Sequence, residues 1–525
     1  MRLINYSFNT PKRIPSLHRT VAVIRWQSAT FRNLGNMIAQ EIYRHAHTHP
    51  EHTAAFRNGK PISYRRFAQR IELLRMTWGS LNLRVGSVAV VVVENRLLDW
   101  TAVLALQALG VITLSADSFE RAISLNLTNV GCVLVDSRTG EQSPRAEQSW
   151  PTAMQLKLPD SFFEIAQGIS LPDEIPIVGG GGHLLYTSGT TGTYKKLFHD
   201  ASLDGERGEQ RGSATLVGAS SVVNVIFFGL WTAVGYRWPL MVWHHGGSVV
   251  FDHHPGWPTR LANHGVTHVL LTPGQLQEAV KALDESSDQP LGAFELRAIG
   301  GFVSPKLVHA VRRAISPNLV LSFGSTELWT PAMQAIATGS DEDYWLQGMG
   351  NRVIEIVDGQ GDVCQDGTEG LLRVKMEPFD YSLYVDDAAS TARMFQDGWF
   401  YPGDIAVGRA DHRIRVLGRT ADVINVRGTK MASGPIEDVI RNALGVSAVC
   451  AFSGLLVGDE DRLLIAVESE QTVASERLKA VASQVMSRFG KVTFVQVKAF
   501  PLTQSGTLKI DRIALRRGIV QAQRH

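Results

Sequence analysis

Residues Leu184 to Lys196 read LLYTSGTTGTYKK: an apolar run, seven consecutive glycine or hydroxyl residues, then a tyrosine and two lysines. Gly189 and Gly192 let the backbone turn with its N–H groups facing inward, and Thr187, Ser188, Thr190 and Thr191 add hydroxyl donors around the same concavity. Such a nest suits a polyphosphate, and a lysine at its exit adds a point charge toward the outer phosphates. The spacing is not that of a P-loop, in which lysine directly follows the second glycine and a serine or threonine follows the lysine. By itself the stretch also suits a flexible Gly/Ser/Thr linker, so both readings stand at this point.

Working outward, strands alternate with helices over about 330 residues. Gly86 to Asp117 carries the apolar run SVAVVVVEN, a helical period through Leu97, Trp100, Leu104 and Ala108, and then LGVITLSAD, which together make a βαβ unit. Comparable strand–helix–strand units are expected at Ser248 to Pro273 and at Leu296 to Phe323. After Glu369 the texture changes to short alternating strands such as GLLRVKM and HRIRVLGR. Beyond Arg419 the pattern predicts a strand at ADVINVRG, a helix at Gly434 to Ala443, a strand at LLIAVES, a helix at SERLKAVASQVMSRF and a final strand at VTFVQVK. The fold class is therefore α/β: a large N-terminal domain of layered, mostly parallel sheets flanked by helices, plus a small α+β C-terminal domain. The expected boundaries are 1–34 for an N-terminal extension, 35–418 for the large domain and 419–525 for the small one.

Composition narrows the function classes. With 525 residues, 44% of them apolar and 19% charged, the chain can bury large cores and is not a disordered protein. A net charge of +2 gives no long-range field for nucleic acid or anionic lipid. Three well-separated cysteines, Cys132, Cys364 and Cys450, fit a reducing compartment, with the cytosol as default. The longest apolar stretch, Val222 to Tyr236, falls short of the roughly 20 residues a membrane span needs and is expected to be a buried helix. Residues 1–40 contain six basic side chains and no acid, a pattern shared by organelle transit peptides and by solvated extensions. The pairs His244–His245 and His253–His254 are expected to point to opposite faces of strands, which disfavours a metal site.

Further along the chain four more motifs appear: FGSTE at 323–327, DGWFYPGDIA at 397–406, VLGRTADVINVRGTK at 416–430 and PLTQSGTLKIDR at 501–512. With YTSGTTGTYKK they resemble, in order, the five signatures of the adenylate-forming (AMP-binding) superfamily, which includes acyl-CoA ligases, luciferases and peptide-synthetase adenylation domains. The resemblance implies an acid–thiol ligase that joins a carboxylic acid to ATP, releasing pyrophosphate, and then moves the acyl group to a thiol. It implies ATP, Mg²⁺ and CoA as cofactors. Glu327 would hold Mg²⁺, Thr326 would bond the α-phosphate, Phe323 would face adenine, and Asp404 with Arg419 would hold the ribose. Lys195 would serve the phosphate loop made by Thr187, Ser188, Gly189, Thr190, Thr191 and Gly192. Lys509 would bring carboxylate and α-phosphate together, and Gly428 would line the CoA channel.

The sequence departs from the family pattern at four places. Tyr194 stands where proline is usual, Pro402 where threonine precedes Gly403 and Asp404, and Ala421 where the hinge carries Asp or Lys. Thr507 and Leu508 form a two-residue insertion before Lys509. The segment VVNVIFFGLWTAV at 222–234, where amino-acid-activating relatives place an aspartate, holds no acid, which disfavours an α-amino acid. Phe227, Phe228, Trp231, Phe302 and Trp329 sit where the family builds its acyl pocket, and they favour an apolar acid. Two alternatives remain: an acyl-AMP ligase that loads a separate carrier protein, and a divergent, non-catalytic nucleotide-binding relative.

Overall fold

The computed structural model describes residues 36–522 apart from 136–146, 159–161, 189–193, 252–255, 284–288, 427–428, 447, 456–460, 470–472, 475, 479, 482–491 and 503–509. The extension at 1–34 lies outside the described residues, as does most of the expected helix at SERLKAVASQVMSRF. Val88–Val92 (β1) is buried at all five positions, as a strand covered on both faces must be. The next helix, Arg96–Ala108 (α1), starts where the Asn95 side chain accepts the Leu98 N–H at 3.4 Å. It returns the chain to Ile112–Ser115 (β2), which pairs parallel with β1. Gly182–Ser188 (β3) lies parallel to β2, and Tyr194–Asp200 (β4) turns back antiparallel to β3. The glycine and hydroxyl loop thus connects two strands at one edge of a six-stranded sheet.

Two helices follow, Asp204–Thr215 (α2) and Ala233–His244 (α3). They lead into a nine-stranded sheet that is parallel inside and antiparallel at both ends. One of its strands, Leu319–Phe323 (β5), ends at the FGSTE motif. The largest hydrophobic core draws residues from both sheets and from the helices between them. At its centre Trp100 stacks on Tyr236 at 5.1 Å and meets Trp243 edge-on at 5.0 Å. A third, antiparallel sheet contains Asp404–Gly408 (β6) and Ile414–Arg419 (β7).

The last part of the chain builds its own sheet. Ser433–Leu444 (α4) precedes Ala448–Leu455 (β8), Asp461–Glu468 (β9) and Val492–Val497 (β10), and Arg512–Ala522 (α5) closes the described chain. Alternation along β8 sends Val449 and Ala451 to a core with α4, and Cys450 and Phe452 to a second core with α5. Among the described residues, no helix is long and apolar enough to cross a membrane.

Three expectations are corrected. Val222 to Tyr236 is not one helix: Val222–Asn224 is a strand, the chain turns, and α3 begins only after Thr232, whose side chain accepts the Gly235 N–H at 3.0 Å. A side chain at Gly235 would meet the Gly229 carbonyl oxygen at 2.2 Å, so the turn packs directly on the start of the helix. Between the strands Ser248–Val250 and His268–Leu271 the described residues hold two short 3-10 turns, Trp257–Arg260 and Asn263–Gly265, rather than an α-helix. His244 and His245 do not diverge on a strand. They end α3, where successive residues turn by about 100° and not 180°, and their ring centres lie 4.9 Å apart. Glu209 of α2 joins them, 3.4 Å from His244 Nε2. His253 and His254 lie outside the described residues.

His183 on β3 gives the fold a pH signature. Its ring lies flat against Tyr236 at 4.4 Å, Nε2 is 3.0 Å from the Leu230 carbonyl oxygen, and burial pushes its pKa down to about 3. The unfolded chain takes up this proton near 6.5, so the unfolded state binds more protons below that pH. The contribution is present above pH 6.5 and is lost as pH falls from 6.5 toward 3, by up to about 1.4 kcal/mol per pH unit. His183→Gln is therefore expected to flatten the acid limb of stability against pH in urea titrations; an unchanged limb contradicts the assignment.

Candidate active site

β3 and β4 run in register, with Thr187 opposite Lys195 and Ser188 opposite Tyr194. Alternation along β4 sends its two lysines to different faces. The Lys196 ammonium donates to the Leu125 carbonyl at 3.1 Å and lies 3.4 Å from Asp386. Lys195 points the other way, with its ammonium 4.8 Å from the centre of the Tyr384 ring. Burial pulls Lys195 below the ordinary lysine range, and the Glu327 carboxylate opposes that fall. Tyr194, in the place of the family's proline, is covered by the Arg121 guanidinium at 4.7 Å.

Glu327 is 6% exposed and held on both carboxylate oxygens. Tyr384 donates to Oε1 at 2.5 Å, and Ser325 donates to Oε2. Burial, and then the charge of Glu327, hold the Tyr384 phenol far above the ordinary tyrosine range, so it stays a donor. The Tyr381 N–H binds the Glu327 carbonyl at 2.9 Å. Phe323 closes β5 just before this turn and is half-buried. Lys195, Glu327, Tyr384 and Ser325 thus form one polar cluster beside the loop that joins β3 to β4.

The backbone of the turn is held from behind by arginines. Arg237 of α3 donates to the Leu328 carbonyl at 2.7 Å and to the Thr326 carbonyl, and Arg211 of α2 donates to the Trp329 carbonyl. The Trp329 N–H binds Asp380 at 2.6 Å, and Arg352 fixes Asp380 at 2.7 Å and Glu377 at 2.7 Å. The Trp329 ring lies among three cations, with Arg237 at 5.0 Å, Arg207 at 5.3 Å and Arg211 at 5.8 Å from its centre. Burial lowers the pKa of both Arg211 and Arg237, as expected for cations far from bulk water.

Asp404 opens β6 directly opposite Arg419, at the end of β7. Arg419 Nε is 3.0 Å from the Asp404 carboxylate, and its Nη1 donates to the Pro402 carbonyl at 2.8 Å. Gly403 between them has φ of +80°, a conformation that suits glycine. The expected acyl-pocket aromatics occupy several environments. Phe228 is in the large core, Trp231 packs on the other face of the first sheet beneath Arg96 at 4.3 Å, and Phe227 meets Trp257 edge-on at 4.5 Å. Phe302, 42% exposed, stacks on Tyr344 at 5.0 Å with Arg441 of α4 over it at 5.2 Å. Gly189, Thr190, Thr191, Gly192, Gly428 and Lys509 lie outside the described residues, as does the side chain of Ser188.

Tyr384, Arg211, Arg237 and Asp380 are absent from the sequence reading. They belong to none of the motifs and reach the turn across separations of 51 to 118 residues. Arg237→Gln leaves buried carbonyls without their donor, at a cost of about 1–3 kcal/mol for each group left unpaired. Urea denaturation followed by tryptophan fluorescence is expected to show a clearly lower midpoint, and an unchanged midpoint contradicts the role given to Arg237.

Comparison with known proteins places this geometry in a family. The family model of AMP-binding enzymes matches residues 42–377. A putative acyl-CoA ligase, YdaB, of Bacillus subtilis (strain 168) is 26% identical over 43% of this chain and 46% of its own length. A 2-hydroxy-7-methoxy-5-methyl-1-naphthoate–CoA ligase of Streptomyces carzinostaticus is 25% identical over 52% of this chain and 50% of its own. The chain thus spans about half the length of these curated relatives. Among solved structures, the O-succinylbenzoate Coenzyme A synthetase (MenE) of Bacillus subtilis in complex with AMP superposes with a TM-score of 0.75 at 18% identity, covering 91% of this chain and 98% of that one. The last similarity concerns the fold alone, whereas the family match spans well over half of the chain: the protein belongs to the AMP-binding enzyme family.

Proposed function

We propose that the protein activates an apolar carboxylic acid with ATP, releasing pyrophosphate, and transfers the acyl group from the acyl-adenylate to the thiol of CoA. The observation that carries this reading is the buried cluster of Lys195, Glu327, Tyr384 and Ser325 beside the loop that joins β3 to β4, in a chain of the AMP-binding family. In the first half-reaction a carboxylate oxygen bonds to the α-phosphorus while the bond to the β-phosphate oxygen breaks and pyrophosphate leaves. Negative charge is concentrated on the phosphates throughout, so preorganised cations and donors lower the barrier.

The residues present fit the roles this requires. Glu327 offers hard carboxylate oxygens of the kind Mg²⁺ takes, and Tyr384 and Ser325 fix their direction. Bound Mg²⁺ would supply neutralisation of phosphate charge. Lys195, buried at the exit of the loop, adds a fixed cation, and Thr326 offers a hydroxyl on the same turn. Asp404, paired with Arg419, would accept hydrogen bonds from the ribose in this reading. Lys509 is assigned to bridging the carboxylate and the α-phosphate, and Gly428 to passage of pantetheine. In the second half-reaction the thiol sulfur attacks the acyl carbon and AMP leaves.

One feature supports an apolar acid. The stretch 222–234 contains no carboxylate to pair with an ammonium, and an unpaired buried charge costs at least several kcal/mol. Phe227, Phe228 and Trp231 lie within that stretch but pack in three separate environments, so the reading rests on the missing carboxylate and not on a shared aromatic pocket.

Mass spectrometry of protein incubated with ATP, a competent acid and CoA tests the whole reading. An acyl-CoA product is expected, whereas acyl-AMP that accumulates without thioester points to a separate carrier protein as acceptor. Glu327→Gln is expected to abolish ATP–pyrophosphate exchange with the fold intact by circular dichroism, because an amide is a poor ligand for a hard cation; near-wild-type exchange removes Glu327 from the metal role. Lys509→Ala is expected to depress acyl-AMP formation by at least ~10²-fold while sparing thioester formation from supplied acyl-AMP. Equal loss in both halves points to misfolding instead.

A further inference from the structure

Where α2 passes the end of α3, three side chains gather that the adenylation chemistry does not use. α3 closes with His244 and His245, and Glu209 stands beside them on α2. One ligand atom from each of the three lies within 4.8 Å of the other two. Glu209 and His244 Nε2 are 3.4 Å apart. Nitrogen and oxygen ligands bound at about 2.0–2.2 Å around a tetrahedral ion stand roughly 3.4 Å from one another, so that pair already has the spacing of two ligands of one ion.

Two glycines bring the rings this close. Gly208 and Gly212 are one turn apart on α2, in the interior of a helix, where glycine is less stable than alanine. A side chain at Gly208 would meet His244 Cγ at 2.8 Å, and one at Gly212 would meet His245 Nε2 at 2.0 Å. Both imidazoles therefore pack on a bare face of α2, with Glu209 adjoining it. From a third helix, Ile38–Thr48, His45 Nε2 lies 3.3 Å from the His244 carbonyl oxygen and braces the end of α3.

The local charge favours a cation. The last carbonyls of a helix carry partial negative charge, and the carboxylates of Glu209 and Glu41 both act on His245. Arg44 pairs with Glu41 at 2.5 Å, whereas Glu209 is paired among the described residues with His244 alone. Burial, and then the charge of His244, hold His245 below the ordinary histidine range, so its ring is neutral near pH 7 and keeps a lone pair to give. His244 Nδ1 is buried without a hydrogen-bond partner among the described residues, so that ring is not fixed on both sides.

We propose that Glu209, His244 and His245 bind a zinc-type divalent transition ion, with water completing its coordination. Two imidazoles and a carboxylate are a donor set that zinc takes, whereas Mg²⁺ prefers oxygen ligands, so this is not the Mg²⁺ position assigned to Glu327. The ion ties α2 to α3, the helices whose Arg211 and Arg237 bond the carbonyls of the turn that carries Glu327. It stabilises that scaffold without touching substrate.

Zn²⁺ itself is the probe, titrated calorimetrically into the full, chelator-stripped chain in excess Mg²⁺. Wild type is expected to bind one equivalent that E209Q binds at least about tenfold more weakly, since even the partners of metal ligands are worth that much in affinity. H244N/H245N is expected to lose it. Other histidines and the cysteines can also take zinc, so the variants decide: no binding by wild type, or uptake by both variants equal to that of wild type, overturns the proposal. Because His245 packs on Gly212, the fold of the double variant is checked by circular dichroism; E209Q, altered at an exposed side chain, carries the test if that fold is lost. Urea denaturation gives a second readout. Zn²⁺ should raise the midpoint of wild type by mass action and raise that of E209Q less at the same concentration; an equal rise in both overturns the proposal.

Discussion

The turn after β5 must place a carboxylate in a buried position while three of its own carbonyls face away from water, and much of the candidate site follows from how those carbonyls are satisfied. An unpaired buried carbonyl is costly. Thr326, Leu328 and Trp329 receive their donors from Arg237 and Arg211, so α2 and α3 are tied to the turn by hydrogen bonds as well as by packing. With the backbone fixed from behind, the side chain of Glu327 faces forward, where Tyr384 and Ser325 direct its two oxygens.

Such an arrangement brings several cations out of water, and each carries a desolvation penalty of several kcal/mol. The structure offsets this with the carbonyl acceptors themselves, with the face of Trp329, and with the carboxylates of Asp380 and Glu377 around Arg352. The cost has a functional counterpart. A site that handles several phosphate charges needs fixed donors and cations that do not reorganise as charge develops. Lys195, buried above Tyr384 and still close enough to feel Glu327, would belong to that set under the proposed function.

Much of this was legible in the sequence, and the parts that were not share a cause. The motifs located the loop between β3 and β4, the FGSTE turn and the Asp404–Arg419 pair because each is a short run whose chemistry is readable from neighbouring residues. Arg211, Arg237, Asp380 and Tyr384 are single residues in unremarkable contexts, brought to the turn only by tertiary packing. Hydrophobicity alone does not register the turn inside the apolar run at 222–236, whose signals are Gly229 and the capping Thr232. His244 and His245 end a helix, so the strand period that would send them to opposite faces does not hold there. The five aromatics assigned to the acyl pocket show the same boundary: aromatic content is visible in sequence, whereas the partner of each ring, from Trp257 to Arg441, is set by the fold.

The proposed function requires that the protein adenylate an apolar acid. ATP–pyrophosphate exchange measured with purified protein across a panel of aliphatic, aromatic and α-amino acids addresses this directly. The expected result is exchange that depends on added carboxylate, is strongest with an aliphatic or aromatic acid and is absent with α-amino acids. Exchange with α-amino acids alone, or with no acid of the panel, would contradict it.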